Sequence, residues 1–304
     1  MAKEFSRRLF LKGAMFTTVA FISREGSAFA VQKVMEKRKL GRTGWKVSVV
    51  GFGGGAIGGM RMPDEMAVDI LRRAIDRGVN FFDVAPTYGR SEIRLGKAIQ
   101  GYPRKSLFLA TKIESASGEW TAKEATDLIH QSLDRLQVDT IDLIQFHGVG
   151  GKEGLRKILS SGGGLEGVRK AQQKGYVRFV GITGGHNPKE LEVMVEAIET
   201  DEFDTVMPSY NIEFTEAGKE GGVFETADKH RVGVIIKKPF TQQPPLPRWF
   251  GGGHRSLIPD YGVEKCMHFV IRTPGVHVVI PGMHAVEHVE QDTACGYTAP
   301  IFLP

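Results

Sequence analysis

Gly78-Val79-Asn80-Phe81-Phe82-Asp83-Val84-Ala85-Pro86-Thr87-Tyr88-Gly89, followed by Ser91-Glu92, leads from the end of one helix-period stretch to the start of the next. Asn80–Asp83 is short and aromatic-rich, so it reads as a strand, and Gly78 closes the helix before it. The flanking stretches, Asp64–Asp76 and Ser91–Gln100, carry helical spacing. The same alternation runs outward in both directions. Strands are expected at 49–51, 107–111, 141–146, 177–181, 205–208, 233–237 and 277–280. Further helices are expected at Thr121–Leu136, opened by the capping-box form Thr121-Ala122-Lys123-Glu124, and at Pro188–Glu199. Eight strand–helix units predict an α/β fold, a single-domain (β/α)8 TIM barrel over residues 31–304. Lys37 to Val49, with the turn cluster Gly41-Arg42-Thr43-Gly44, predicts an N-terminal β-hairpin ahead of it. The least regular stretches, 148–164 and 241–259, directly follow strands, which puts them on the catalytic face as candidate lids.

The composition suits such a fold: 304 residues, 41% hydrophobic and 25% charged, with 38 glycines. It excludes disorder and a collagen-like repeat, and two cysteines cannot staple a chain of this length. The formal charge of +5 is concentrated at the front. Beyond residue 30 there remain 35 basic and 33 acidic residues, a balance of +2 that gives no reason to expect nucleic acid as a partner.

Residues 1–30 read as an address. Ser6-Arg7-Arg8-Leu9-Phe10-Leu11-Lys12 precedes a short apolar run, Gly13 to Ile22, and the stretch ends on Ala28-Phe29-Ala30. A charged start, a short apolar run and a small-x-small site make a cleavable signal peptide. The run is about half of the ~20 residues needed to span a bilayer, so no stable membrane insertion is expected after cleavage. The double-arginine string resembles the twin-arginine export signal, which predicts the twin-arginine machinery as a partner and an exported, periplasmic product. A basic amphipathic helix belonging to the folded domain is the alternative.

Four ionisable residues fall at strand ends or just beyond them. Asp83 ends the second strand with Tyr88 in the loop after it, Lys112 ends the third and His147 the fourth. Strand C-termini of a barrel open onto one face, so the four converge. An ammonium beside a phenol lowers the phenol pKa, a carboxylate keeps the ammonium charged and aimed, and a neutral His donates to a carbonyl oxygen. The bland alternative is a surface Tyr, a satisfied core His and an ordinary ion pair.

With Leu109-Ala110-Thr111-Lys112, Ser132-Leu133-Asp134-Arg135-Leu136 and Asp139 to His147, these blocks resemble the aldo-keto reductase family from about Lys39 to Asp292. The resemblance implies Tyr88 as general acid, Lys112 as its tuner, Asp83 as the partner of Lys112, and His147 as the carbonyl orienter. It also implies a nicotinamide cofactor, NADP(H) rather than NAD(H), placed against Gly53, Gly54, Thr183, Lys238, Gly282, His288, Gln291 and Asp292. The cofactor corner departs from the family pattern. Gly181-Ile182-Thr183-Gly184-Gly185-His186-Asn187 lacks the usual Ser-Asn pair and looks like a Thr-Gly-His-loop subgroup. Met207 stands where Gln is common, and Lys237 where an aromatic often stacks on the nicotinamide. His284 and His288 stand in for the Lys and Arg that usually grip the 2′-phosphate, and Gln291-Asp292 for a Glu-Asn pair.

The expected function is therefore NAD(P)H-dependent reduction of an aldehyde or ketone, with a small-molecule carbonyl substrate and a tightly bound cofactor carried through export. A cofactor-free barrel serving as an exported binding or accessory protein is the first rival. A lyase forming a Schiff base on Lys112 is the second. Gly51-Phe52-Gly53-Gly54-Gly55-Ala56 fits a dinucleotide-loop string but reads as the first strand-to-helix loop of the barrel, since Pro63 and Gly58-Gly59 block an immediate helix. No metal site is expected, because the nine histidines lack zinc-like spacing. Cys266 lies among Val263, Met267 and Val270 at helical spacing and reads as a buried thiol, with a Cys266–Cys295 disulfide the alternative in an oxidising compartment. Trp120 and Trp249-Phe250 are candidate pocket-lining aromatics, with ordinary loop packing the alternative.

Overall fold

The computed structural model describes residues 18–22, 28–32, 34–115, 118–242 and 255–298. Two antiparallel hairpins come first: β1 (Thr18–Ile22) with β2 (Ala28–Gln32), then β3 (Lys37–Lys39) with β4 (Lys46–Ser48). The second is the hairpin predicted from Lys37 to Val49, turned through a one-turn 3-10 helix with Gly44 at φ +75°. Eight parallel strands follow in sequence order: β5 (Phe52–Gly53), β6 (Phe81–Asp83), β7 (Phe108–Ile113), β8 (Ile141–Phe146), β9 (Val177–Thr183), β10 (Thr205–Met207), β11 (Gly233–Lys237) and β12 (Val278–Ile280). The sheet closes because Gly51 N donates to Val279 O and Gly53 N to Pro281 O. That closure also explains a small displacement. The first strand is expected at 49–51, but there Val49 O accepts from Val279 N and Gly51 N donates to Val279 O, and the ladder to β6 begins at Phe52.

Helices α1 (Asp64–Asp76), α2 (Ser91–Ala98), α3 (Ala122–Leu136), α4 (Lys152–Leu159) and α5 (Gly164–Gln173) cover the first half of the barrel. The second half carries α6 (Pro188–Glu199), α7 (Val223–Lys229), α8 (Ile258–Tyr261), α9 (Val263–Ile271) and α10 (Val286–Ala294). Thr121 caps α3 as its sequence predicts, its hydroxyl accepting from Glu124 N at 3.2 Å. About half of the stretch 148–164 is α4, so this candidate lid carries a short helix. Of the other, 241–259, residues 243–254 lie outside the described residues, and Trp249 and Phe250 with them. Among the described residues, no helix is long and apolar enough to cross a membrane.

The strands' two-residue period sorts side chains between two cores. Phe81, Phe108, Ala110, Leu143, Met207, Ile235, Val278 and Ile280 point inward, and Leu40 and Val47 of the second hairpin join them. Phe81, Phe108 and Phe179 stack in succession, with centroids 5.3 and 6.2 Å apart, and Trp45 meets Phe108 edge-on. The hairpin thus plugs the N-terminal end of the barrel. The alternate residues, such as Phe82, Ile144, Val180, Val206 and Ile236, face the helices in the larger core. Each fully buried side chain of this size contributes roughly 1.5–3 kcal/mol. Cys266 is in that outer core with a free thiol, and Cys295 is also free, its thiol pushed up to about 12 mainly by burial. The two ends of the barrel chain meet: Glu36 N donates to Gly296 O, and Thr298 N to Val34 O.

Candidate active site

Continuing the inward period by one step places polar residues at the open end. After Phe81 comes Asp83, after Ala110 comes Lys112, after Leu143 come Gln145 and then His147, and after Ile235 comes Lys237. Asp83 and Lys112 are 2% and 1% exposed, a buried ion pair. Lys112 Nζ donates to Asp83 Oδ2 at 2.6 Å and to Val84 O at 2.8 Å, and its third hydrogen bond goes to the Tyr88 hydroxyl. Burial opposes the charge on Lys112, but the Asp83 carboxylate and the Tyr88 oxygen outweigh it and raise the ammonium above its usual range. An amine that is protonated and fully committed has no lone pair to offer a carbonyl carbon, which counts against a Schiff base on Lys112.

Gln145 was not singled out by its sequence context. It is fully buried, and its Nε2 donates to Asp83 Oδ1 at 2.9 Å, on the oxygen that Lys112 leaves free. The alternation from Leu143 was the signal that pointed to it, since a Gln at an inward barrel position needs a polar partner.

Tyr88 packs across Lys112 Nζ, 4.6 Å from its ring centroid, and meets His147 edge-on at 5.7 Å. Its loop is held by close backbone contact. A Cβ on Gly58 would lie 1.7 Å from Tyr88 O, and Gly89, at φ +61°, is pressed against Gly58 O. Arg94, itself buried, donates to the carbonyls of Ile57, Gly59 and Met62 and pairs with Asp64 at 2.9 Å, folding 57–64 against the Tyr88 loop. The motif residue Glu92 is buried as well, taking Thr111 Oγ1 at 2.6 Å and the Arg135 guanidinium, so it ties α2 to β7 and α3. In one respect the sequence expectation is reversed. The ammonium does favour the phenolate, but burial outweighs it and pushes the Tyr88 pKa above 10. In the protein alone Tyr88 is thus a protonated donor whose oxygen accepts from Lys112, leaving its own proton to be given elsewhere.

His147 Nδ1 lies 3.5 Å from both Thr87 Oγ1 and Glu114 Oε2. Burial, with the Lys112 and Lys237 charges, pushes it down to about 3, so the ring is neutral.

The expected cofactor positions divide. Gly53 and Gly282 bridge the first and last strands at the open rim. Glycine at 53 and 54 is already required by the chain, because a Cβ there would meet Ile280 O at 2.8 Å or Asp83 O at 2.8 Å. Thr183 is 1% exposed, and its hydroxyl accepts from Gly148 N at 3.0 Å. Asp292 is fully buried in a two-pronged pair with Arg255, both contacts 2.9 Å, while Gln291 beside it is exposed. The carboxylate is therefore committed to Arg255, and the cation that it holds is the group presented. Sequence reasoning missed Arg255, which lies 37 residues away from its partner. His284 and His288 stack edge-on at 4.3 Å, and His288 Nδ1 is buried with no hydrogen-bond partner among the described residues. Burial and the Arg255 charge hold His288 down at about 4. An unpartnered buried nitrogen beside a guanidinium is a donor set that fits the anionic, heteroaromatic end of a dinucleotide. Trp120 packs edge-on against Phe146, 5.4 Å away, as part of the wall under α4 and α5. Among the described residues, no group of three or more potential ligands is placed to hold a metal ion.

Comparison with known proteins agrees with this geometry. Over 158 residues the chain is 37% identical to the L-galactose dehydrogenase of Arabidopsis thaliana, a match that spans 49% of this chain and about half (49%) of the plant enzyme. It is 26% identical over 292 residues to the uncharacterized oxidoreductase YqkF of Bacillus subtilis, covering 85% of this chain and 90% of that protein. A Pseudomonas aeruginosa structure assigned to the aldo-keto reductases superposes with a TM-score of 0.69 at 27% identity, over 86% of this chain and 94% of that one. The model of the aldo/keto reductase family matches residues 49–243, from the residues that close the barrel to the loop after β11. On that span, and on a barrel whose strand ends carry the site, the chain belongs to the aldo/keto reductase family.

Proposed function

We propose that this protein is an exported, nicotinamide-dependent oxidoreductase that reduces an aldehyde or ketone to an alcohol, with Tyr88 as proton donor. The observation that carries the reading is the Asp83–Lys112–Tyr88 chain beside a neutral His147. When bound, the nicotinamide supplies the hydride. Arg255, His284, His288 and the Gly53–Gly282 rim would hold the dinucleotide, and a fixed guanidinium favours NADP(H) over NAD(H).

This chain's own residues supply the rest. In the tautomer in which Thr87 Oγ1 donates to Nδ1, the His147 proton is on Nε2 and orients a carbonyl oxygen. Tyr88 gives that oxygen its proton as negative charge develops. The resulting phenolate is the species that Lys112 stabilises, and Asp83 with Gln145 keeps the ammonium in place. Alcohol oxidation is the same sequence reversed, so a relative named a dehydrogenase is compatible with it. Export through the twin-arginine machinery to the periplasm rests on the Ser6–Lys12 string, which lies outside the described residues. Free nicotinamide is scarce outside the cytoplasm, so the reading includes a cofactor that travels tightly bound and is recycled against a second substrate.

The test is direct. Protein purified from the exported fraction is denatured, and the released small molecules are assayed for NADP(H) and NAD(H). Tyr88→Phe is then compared with the parent for aldehyde-dependent cofactor oxidation. Near-stoichiometric dinucleotide and a loss of 10²- to 10⁴-fold in Tyr88→Phe are expected. Unchanged activity in Tyr88→Phe removes the proton donor. A folded protein that is empty and binds neither cofactor favours the accessory-subunit alternative.

A further inference from the structure

Lys237 continues the inward period of β11 into the layer that holds Lys112 and Gln145. Its Nζ donates to Gly184 O at 2.5 Å and to Met207 O at 3.2 Å, so the ammonium is fixed between the ends of β9 and β10. The next residue, Lys238, is one of the few non-glycine residues with a left-handed backbone, at φ +59°. That conformation turns its side chain back over the mouth, where Nζ lies 3.2 Å from His186 Nδ1. An ammonium can only donate, so His186 Nδ1 is the acceptor and the imidazole proton sits on Nε2 as a further donor. Ser209 Oγ, 3.1 Å from the same nitrogen, steadies the ring.

Two ammonium groups and a histidine N–H thus gather at one side of the mouth. Among the described residues, neither ammonium has a carboxylate within ion-pair distance. The acid that acts on both is Glu190, whose oxygens are taken by His186 N and by Asn187 Nδ2. The cluster works against itself. Burial and the Lys238 and Lys112 charges push Lys237 down to about 7, and burial with the Lys237 and Lys238 charges holds His186 at about 3. Cations kept together at such a cost, on partly buried side chains at the mouth, fit an anion that arrives with a ligand. Lys237 and His147 both stand at the strand ends of the open face, so that anion shares the face on which the carbonyl is held.

We infer that Lys237, Lys238 and His186 form a carboxylate-binding subsite, and that the substrate is an aldehyde or ketone bearing a carboxylate group. The inference rests on the carbonyl-reductase reading of the same site. A phosphate oxygen of the cofactor has related chemistry, and the test separates the two sources.

The probes are 4-carboxybenzaldehyde and its methyl ester, assayed for kcat and KM with added NADPH. Benzoate binding is followed by calorimetry with no turnover required. The variants are Lys237→Met, Lys238→Asn (Asn tolerates the left-handed backbone) and His186→Gln, each checked for an intact fold by its thermal transition. Lys238→Asn and His186→Gln keep the test decisive if Lys237→Met fails to fold. The acid is expected to exceed the ester at least tenfold in kcat/KM. The variants are expected to lower that ratio at least tenfold, mainly through KM, and to lose benzoate binding. Benzoate binding that depends on these residues, with neither aldehyde reduced, upholds the subsite and defeats the reductase reading. Equal turnover of acid and ester, with a ratio that the variants do not move, overturns the subsite and leaves the reductase reading standing. Variants that instead weaken NADPH and inorganic pyrophosphate, leaving the acid-to-ester ratio alone, assign the lysines to the cofactor and also overturn it.

Discussion

Gln145 Nε2 donates to Asp83 Oδ1 at 2.9 Å, while Lys112 takes Asp83 Oδ2 at 2.6 Å, so the buried carboxylate is held at both oxygens. Gly181 makes room for this arrangement: a Cβ there would lie 3.3 Å from Gln145 Cγ and 2.2 Å from Thr205 Oγ1. Gln145→Leu keeps the bulk and removes the donor. A hydrogen bond to a charged group contributes about 1.5–3 kcal/mol, and a loss of that size in urea denaturation is expected. A several-fold fall in kcat with KM nearly unchanged is expected beside it, because Gln145 positions Asp83 and does not reach the substrate.

Lys112→Met leaves Asp83 charged and buried with only Gln145 to answer it. Removing one partner of such a pair costs about 3–5 kcal/mol. Replacing both, in Asp83→Leu with Lys112→Met, is expected to recover most of that stability while activity stays absent. Equal instability in the single and double variants would show that the pair is not the source of the loss.

Acid should weaken the fold before it reaches the usual carboxylate range. His147 and His186 are pushed down to about 3 and His288 to about 4, against 6.5 in an unfolded chain. Between those values the unfolded chain binds more protons than the folded one. The stability these groups contribute is therefore complete above pH 6.5 and is lost as pH falls toward 3 to 4. Denaturant midpoints measured from pH 7.5 to 4.5 should fall steadily, and His186→Gln should make the slope shallower. By the same reasoning, kcat/KM should show no acid-side break near 6.5 from His147.

Gly58→Ala tests the contact that sets the Tyr88 loop. The added methyl would sit 1.7 Å from Tyr88 O, so the backbone must move. Overpacking of this kind costs about 1–3 kcal/mol. A fall in kcat larger than the fall in stability would require is expected, since the displaced group is the proton donor. Gly59→Ala, where a Cβ meets nothing within 4 Å, is the control, and both readouts should stay close to the parent.

The parts of this protein that local spacing controls were legible in its sequence. Asp83, Lys112 and His147 stand at strand ends that the apolar runs mark out, and barrel topology alone brings them together. Thr121 announced its helix through a capping-box form, and its hydroxyl caps α3 by accepting from Glu124 N. What stayed hidden depends on contacts between distant segments. Lys237 was visible as a departure from the family pattern, but not its approach to Gly184 or the meeting of its neighbour Lys238 with His186, 52 residues away. Asp292 stood at a position where a cofactor contact is expected, and only the fold shows that Arg255 reaches it. The direction of the Tyr88 shift turned on burial, which no spacing rule measures.

The meeting of Val34–Glu36 with Gly296–Thr298, and of Val49 and Gly51 with Val279, sets a timetable for synthesis. The first strand finds its outer neighbour only in β12, so the ring cannot shut before Val278–Ile280 has been made. Pairings this far apart in the chain are also the slowest to form, because the whole intervening loop must be closed first. Until that last pairing forms, a newly made molecule is an open, incomplete sheet. Under the export proposed above, passage of the protein in the folded state would have to wait until β12 has closed the ring.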